Sequence, residues 1–163
     1  MTEYLQEILN QFSLQGTAVT VSCYGKGHIN ETYLVTTDHG RSYILQKMNE
    51  SIFKDVDGLM HNIEAVTDFL QSKGSDKRAV LQLVKTVEGK PYLRHTDTTV
   101  WRVYVFVTDA ICLQAPETPE DFYQSAVAFG RFQQLLRDFP AETLTETIPN
   151  FHNTRERYRQ FYE

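Results

Sequence analysis

Apolar positions change their spacing repeatedly along the first two thirds of this chain. Leu5, Ile8, Leu9 and Phe12 recur at helical intervals across residues 2–12, and Gly16 follows as a stop. Val19, Val21 and Cys23 then alternate with Thr20 and Ser22, which predicts a half-buried strand over residues 17–24. Residues 33–37 are rich in β-formers, Asp38-His39-Gly40 is a turn signal, and Tyr43-Ile44-Leu45 begins another strand. These three strands form an antiparallel meander. After Asn49 the period returns to that of a helix. Asp57 is the expected N-cap, Leu59, Ile63, Val66, Phe69 and Leu70 share one face, and Gly74 ends it. Residues 79–87 and 98–108 read as strands on either side of the turn Glu88-Gly89-Lys90-Pro91. The expectation is therefore a twisted antiparallel sheet of five strands with one helix on a face.

Beyond Asp109 the strand signals stop. Thr118 followed by Pro119 marks a helix start, and Phe122, Ala126, Phe129, Phe132, Leu135 and Leu136 make a long amphipathic helix ending near Pro140. Residues 148–153 are a loop, and a charged helix follows over residues 155–163. Its Tyr158, Phe161 and Tyr162 have nothing downstream to cover them, so a second, helical lobe cut short is expected. The division is residues 1–110 for the first lobe and 111–163 for the start of the second.

Composition narrows the classes. A chain of 163 residues has room for one core, or a small lobe plus part of another. A formal charge of -5 supplies no basic stripe for nucleic acid, and no apolar run is long enough to span a membrane. The first residues lack a leader pattern, so a cytoplasmic location is expected. Cys23 and Cys112 are far apart and the histidines are scattered, which predicts free, partly buried thiols and no transition-metal site.

The candidate chemistry lies in residues 24–49. Gly25 and Gly27 permit left-handed backbone and close approach of a ligand, and Lys47 stands at the end of the third strand. A glycine loop above a hairpin ending in a cation suits a phosphate tail, although Gly-x-Gly before a strand is also an ordinary hairpin turn. The run Gly27-His28-Ile29-Asn30-Glu31-Thr32-Tyr33-Leu34-Val35, with Tyr43-Ile44-Leu45-Gln46-Lys47-Met48-Asn49 and Phe53-Lys54-Asp55, resembles the amino-terminal part of the aminoglycoside phosphotransferase and choline kinase superfamily. Within it the closest likeness is to N-acetylhexosamine 1-kinases.

That resemblance implies an α+β, kinase-like N-terminal lobe followed by the first helices of a C-terminal lobe. It also implies ATP with Mg²⁺ and a sugar hydroxyl as acceptor, with choline, homoserine or an aminoglycoside as alternatives in the same superfamily. Backbone N–H groups around Gly25, Lys26 and Gly27 would meet the phosphates, and Asn30 would tighten the turn. Ile44 would pack on the base, and Phe106, Val107 and Thr108 match the hinge whose backbone meets adenine. A basic residue belongs at the end of the third strand, yet the best register puts Gln46 in that slot and turns Lys47 to the opposite face. Charge favours Lys47, which would then pair with Glu64. Without the resemblance Glu64 reads as a solvated helical carboxylate.

Phosphoryl transfer also needs a carboxylate near the acceptor and oxygen ligands for the metal. Relatives carry these in His-x-Asp with Asn five residues after the Asp. His95-Thr96-Asp97 is the only His-x-Asp here, position 102 is Arg, and the tripeptide falls in a hairpin. It is a decoy, and the catalytic and metal-binding residues are expected after Glu163. The rival reading is a complete non-enzymatic α+β binding module whose glycine hairpin merely turns the chain.

Overall fold

The computed structural model describes residues 2–25, 27–74, 78–110, 113 and 115–163. Helix α1 (Glu3–Leu9) starts where the Thr2 side chain accepts the Leu5 N–H, and it buries Ile8 and Leu9. Strands β1 (Ala18–Cys23), β2 (Glu31–Thr37) and β3 (Ser42–Lys47) form the expected meander. A register shift between Ala18 and Thr20 turns Ala18 into the core and leaves Val19 exposed, against the simple alternation. Cys23, expected to be partly buried, is an exposed free thiol on this edge strand, and Cys112 lies outside the described residues.

Helix α2 (Val56–Ser72) is capped by Asp55, whose side chain accepts the Gly58 N–H, so Asp57 sits in the first turn instead of at the cap. After it come β4 (Leu83–Val84), β5 (Leu93–Arg94) and β6 (Val100–Val105). The sheet has six strands in the order β1-β2-β3-β6-β4, all antiparallel, with β5 also paired to β6. The sixth strand was not expected, because a two-residue strand has too little sequence for an alternation to show. The apolar run 79–87 is likewise only briefly a strand: the Thr86 N–H bonds the Lys90 carbonyl and turns the chain.

Antiparallel alternation gives the sheet two unlike faces. On one, Val35, Tyr43, Leu45, Trp101 and Val103 pack with Ile8, Leu9 and Phe12 into the main core beneath α1. On the other, Thr32, Leu34, Thr36, Ile44, Gln46 and Arg102 are only half-buried. Helix α2 covers one end of that face through a smaller cluster of Met48, Val56, Met60 and Val100. The remainder is open.

Helix α3 (Pro119–Leu135) begins with a complete capping box between Thr118 and Asp121, as the Thr-Pro pair predicts, and α4 (Thr154–Tyr162) starts at Asn153. Neither contains a buried residue. The segment between them rests on α2: the Asn62 side chain donates to the Thr145 carbonyl at 2.7 Å and accepts its N–H at 2.9 Å, and Phe69 meets Phe139 edge-on.

Candidate nucleotide site on the open sheet face

Just past the glycine turn, one rung of the sheet runs across four neighbouring segments. The Tyr24 N–H donates to the Thr32 carbonyl, Thr32 faces Gln46, and Gln46 faces Arg102. Side chains extend the rung on the half-open face. Gln46 Nε2 donates to Thr32 Oγ1 at 3.1 Å, while Gln46 Oε1 accepts from Arg102 Nε at 3.0 Å and Nη2 at 2.9 Å. Next along the same face stand Ile44 and its cross-strand partner Tyr104.

Gly25 has φ +79°, a conformation that costs any other residue, as the sequence predicted for this turn. At Gly27 φ is not in the left-handed region, and an added Cβ would meet nothing within 4 Å. Lys26 lies outside the described residues. The Asn30 side chain accepts the Asn49 N–H at 3.0 Å, tying the start of β2 to the exit from β3. The Tyr24 ring, from beside the glycine turn, reaches Phe106, just past β6, edge-on at 5.5 Å. Of the expected hinge residues, Phe106 donates its N–H to the Ser42 carbonyl and the Thr108 carbonyl is taken by Arg78 at 2.9 Å. All three, Val107 included, line a pocket of about 360 Å³ with Gln15 and Arg41.

The expected pairing of Lys47 with Glu64 does not form. Lys47 lies on the face covered by α1, opposite Trp101, and pairs with Glu31 at 3.1 Å. The hydrogen bond from Lys47 holds the Glu31 carboxyl below its usual range. Glu64 instead takes Lys85 at 2.7 Å, just past β4, and that hydrogen bond raises the lysine's pKa. Strand parity decided against the charge argument, because Lys47 shares its face with Leu45, the face that packs beneath α1. Arg102 and Lys85 are the cations that sequence reasoning missed. The only signal for Arg102 was the parity of 102 with 46, which has meaning once β6 is known to pair with β3.

His95 and Asp97 serve the scaffold. Asp97 accepts hydrogen bonds from Thr99 and from the Tyr4 hydroxyl at 2.7 Å, which hold its carboxyl well below the usual range. His95 Nε2 stands 3.4 Å from Glu7 and its Nδ1 3.1 Å from Asp97. The tripeptide therefore fastens the β5–β6 hairpin to α1, away from the open face. The large cavity of about 760 Å³ between α1 and residues 86–96 belongs to this region. A smaller pocket of about 390 Å³ lies at the glycine turn, lined by Tyr24, Gly25, Gly27, Asn30 and Thr32.

A half-open antiparallel sheet with a glycine turn above it and one helix beside it is the architecture of a kinase-like N-terminal lobe. The chain belongs to the phosphotransferase enzyme family of the aminoglycoside phosphotransferase type, whose family model matches residues 20–162. It is similar in fold to an aminoglycoside phosphotransferase from Alicyclobacillus acidocaldarius, with TM-score 0.63 and 18% identity over 96% of this chain. It is also similar to the amicoumacin kinase hAmiN, solved with AMP-PNP, Ca²⁺ and Ami, with TM-score 0.58 and 20% identity over 73% of this chain. This chain spans 42% and 35% of those two structures. Among the described residues no helix is long and apolar enough to cross a membrane.

Proposed function

We propose that this chain is the nucleotide-binding lobe of an ATP-dependent small-molecule kinase. The observation that carries the proposal is the half-open sheet face itself, floored by the half-buried Ile44 beside the buried Tyr104, bounded by Tyr24 and Phe106, and topped by the Gly25 turn. A flat, partly apolar floor suits a purine, and backbone N–H groups at the turn suit its phosphates. ATP would supply the phosphoryl group. Ile44 packs on the base, Phe106 and Val107 present backbone to its edge, and Gly27 lets the phosphates approach.

The proposed acceptor is a sugar hydroxyl, such as the 1-OH of an N-acetylhexosamine. Its support is the sequence likeness over residues 27–35, 43–49 and 53–55. This chain's proposed contribution is to hold and orient the nucleotide. The residues alone are proposed to lack turnover, since bound ATP without base or metal ligand is not positioned for transfer. The test is an acceptor screen on the full-length protein beside the 163-residue chain. Sugar-dependent ATP consumption by the first and none by the second is expected. Activity only on a non-sugar acceptor would remove the sugar assignment, and turnover by the short chain would remove the division of labour.

A further inference from the structure

Arg102 is a half-buried guanidinium with no anion beside it. Two of its N–H groups meet one neutral oxygen, Gln46 Oε1, a third points at the Met60 sulfur at 3.9 Å, and the group lies 5.1 Å over the Tyr104 ring. Among the described residues no carboxylate forms an ion pair with it. Glu64, one helical turn beyond Met60, is already matched by Lys85. Burial pushes the Arg102 pKa down from its ordinary value, yet a guanidinium remains charged at neutral pH. A partly desolvated charge facing only neutral acceptors is unfavourable by itself. It becomes favourable once an anion arrives.

The supporting contacts also fix its direction. The Gln46 amide is tied to Thr32 on one side and to Arg102 on the other, so it holds the guanidinium in the rung just past the glycine turn. We propose that Arg102, set by Gln46, is the cation that grips the phosphate tail of the bound nucleotide, in place of a lysine at the end of β3. The proposal rests on the nucleotide-lobe reading and adds the identity of its cation. A planar guanidinium offers two parallel N–H donors to phosphate oxygens, which a single ammonium does not. Gln46 is then a positioning residue, and its neutrality leaves the positive charge where the anion lies.

The test compares magnesium ATP with adenosine by calorimetry on the full-length protein, as wild type, Arg102→Met and Arg102→Lys. Adenosine reports the base site and ATP adds the phosphates. Loss of a charge-assisted hydrogen-bond pair should weaken ATP binding about 10- to 100-fold in Arg102→Met with adenosine affinity kept, and Arg102→Lys should recover part of it. An unchanged ratio of ATP to adenosine affinity in Arg102→Met would overturn the proposal. So would loss of both ligands in Arg102→Met and Arg102→Lys alike, which would assign Arg102 to the scaffold. Wild type that binds neither ligand would instead overturn the nucleotide-lobe reading, and the proposal with it.

Discussion

Gly25 and Gly27 stand two residues apart in the same turn, and their backbones make different demands. Gly25 is left-handed at φ +79°, so Gly25→Ala should lower stability by about 1 kcal/mol in urea melts. Gly27 has neither that constraint nor a neighbour an added methyl would strike, so Gly27→Ala should change stability by less than about 0.5 kcal/mol. If the residue is there for a ligand, the same substitution weakens ATP binding in the full-length protein. Normal ATP affinity in Gly27→Ala would leave the glycine without a ligand to explain it. Lys47 makes the opposite case. Its pair with Glu31 is part-exposed, at 35% and 58%, and such pairs contribute about 1 kcal/mol or less. Lys47→Met should therefore be mild in stability and in turnover. A loss of activity of about tenfold or more, some 1.4 kcal/mol, would return it to the site.

At the level of elements, α1 and the β5–β6 hairpin are held together by a titratable clasp. Burial disfavours the charged His95, but the nearby carboxylates of Asp97 and Glu7 outweigh it and the pKa ends above the ordinary 6.5. A histidine raised in the folded state stabilises fully below its unfolded value and loses that contribution as pH rises through the folded one. Stability should thus fall as pH climbs from about 6 upward past the raised value. Thermal melts of wild type and His95→Gln across that range check it: the variant should lack the slope. A slope equal in both would place the pH dependence elsewhere. Helix α2 is bound on two sides, by Met60 to the sheet and by Asn62 to Thr145. It is the one element among those described that links the open face to the segment before α4.

For the molecule as a whole, the unburied aromatics matter most. Phe122, Tyr123 and Phe129 on α3 and Tyr158, Phe161 and Tyr162 on α4 are all more than half exposed, with Phe161 at 82%. Such a surface on an isolated polypeptide binds apolar partners or copies of itself. The 163-residue chain should bind a hydrophobic dye and elute from a sizing column ahead of its monomer position. A dye-silent monomer would show that these side chains find cover within the chain in solution.

Local pattern was enough to read the meander, the helix after it and the capping of α3. Each of those depends on residues within a turn or two of one another, where hydrophobic period and cap chemistry act directly. The same pattern showed that Gln46 and Lys47 point to opposite faces. Which face is open was decided by where α1 packs, since its Ile8 and Leu9, with Phe12 just beyond it, bury one side of β3 and leave the other to Ile44 and Gln46. The partners of the charged groups were also beyond sequence reach. Gln46 and Arg102 are 56 positions apart and become neighbours only through the pairing of β3 with β6. Glu64 could have met any cation its helix packed beside, and it met Lys85 because β4 flanks β6. Charge alone does not choose among distant partners; the register of a folded sheet does.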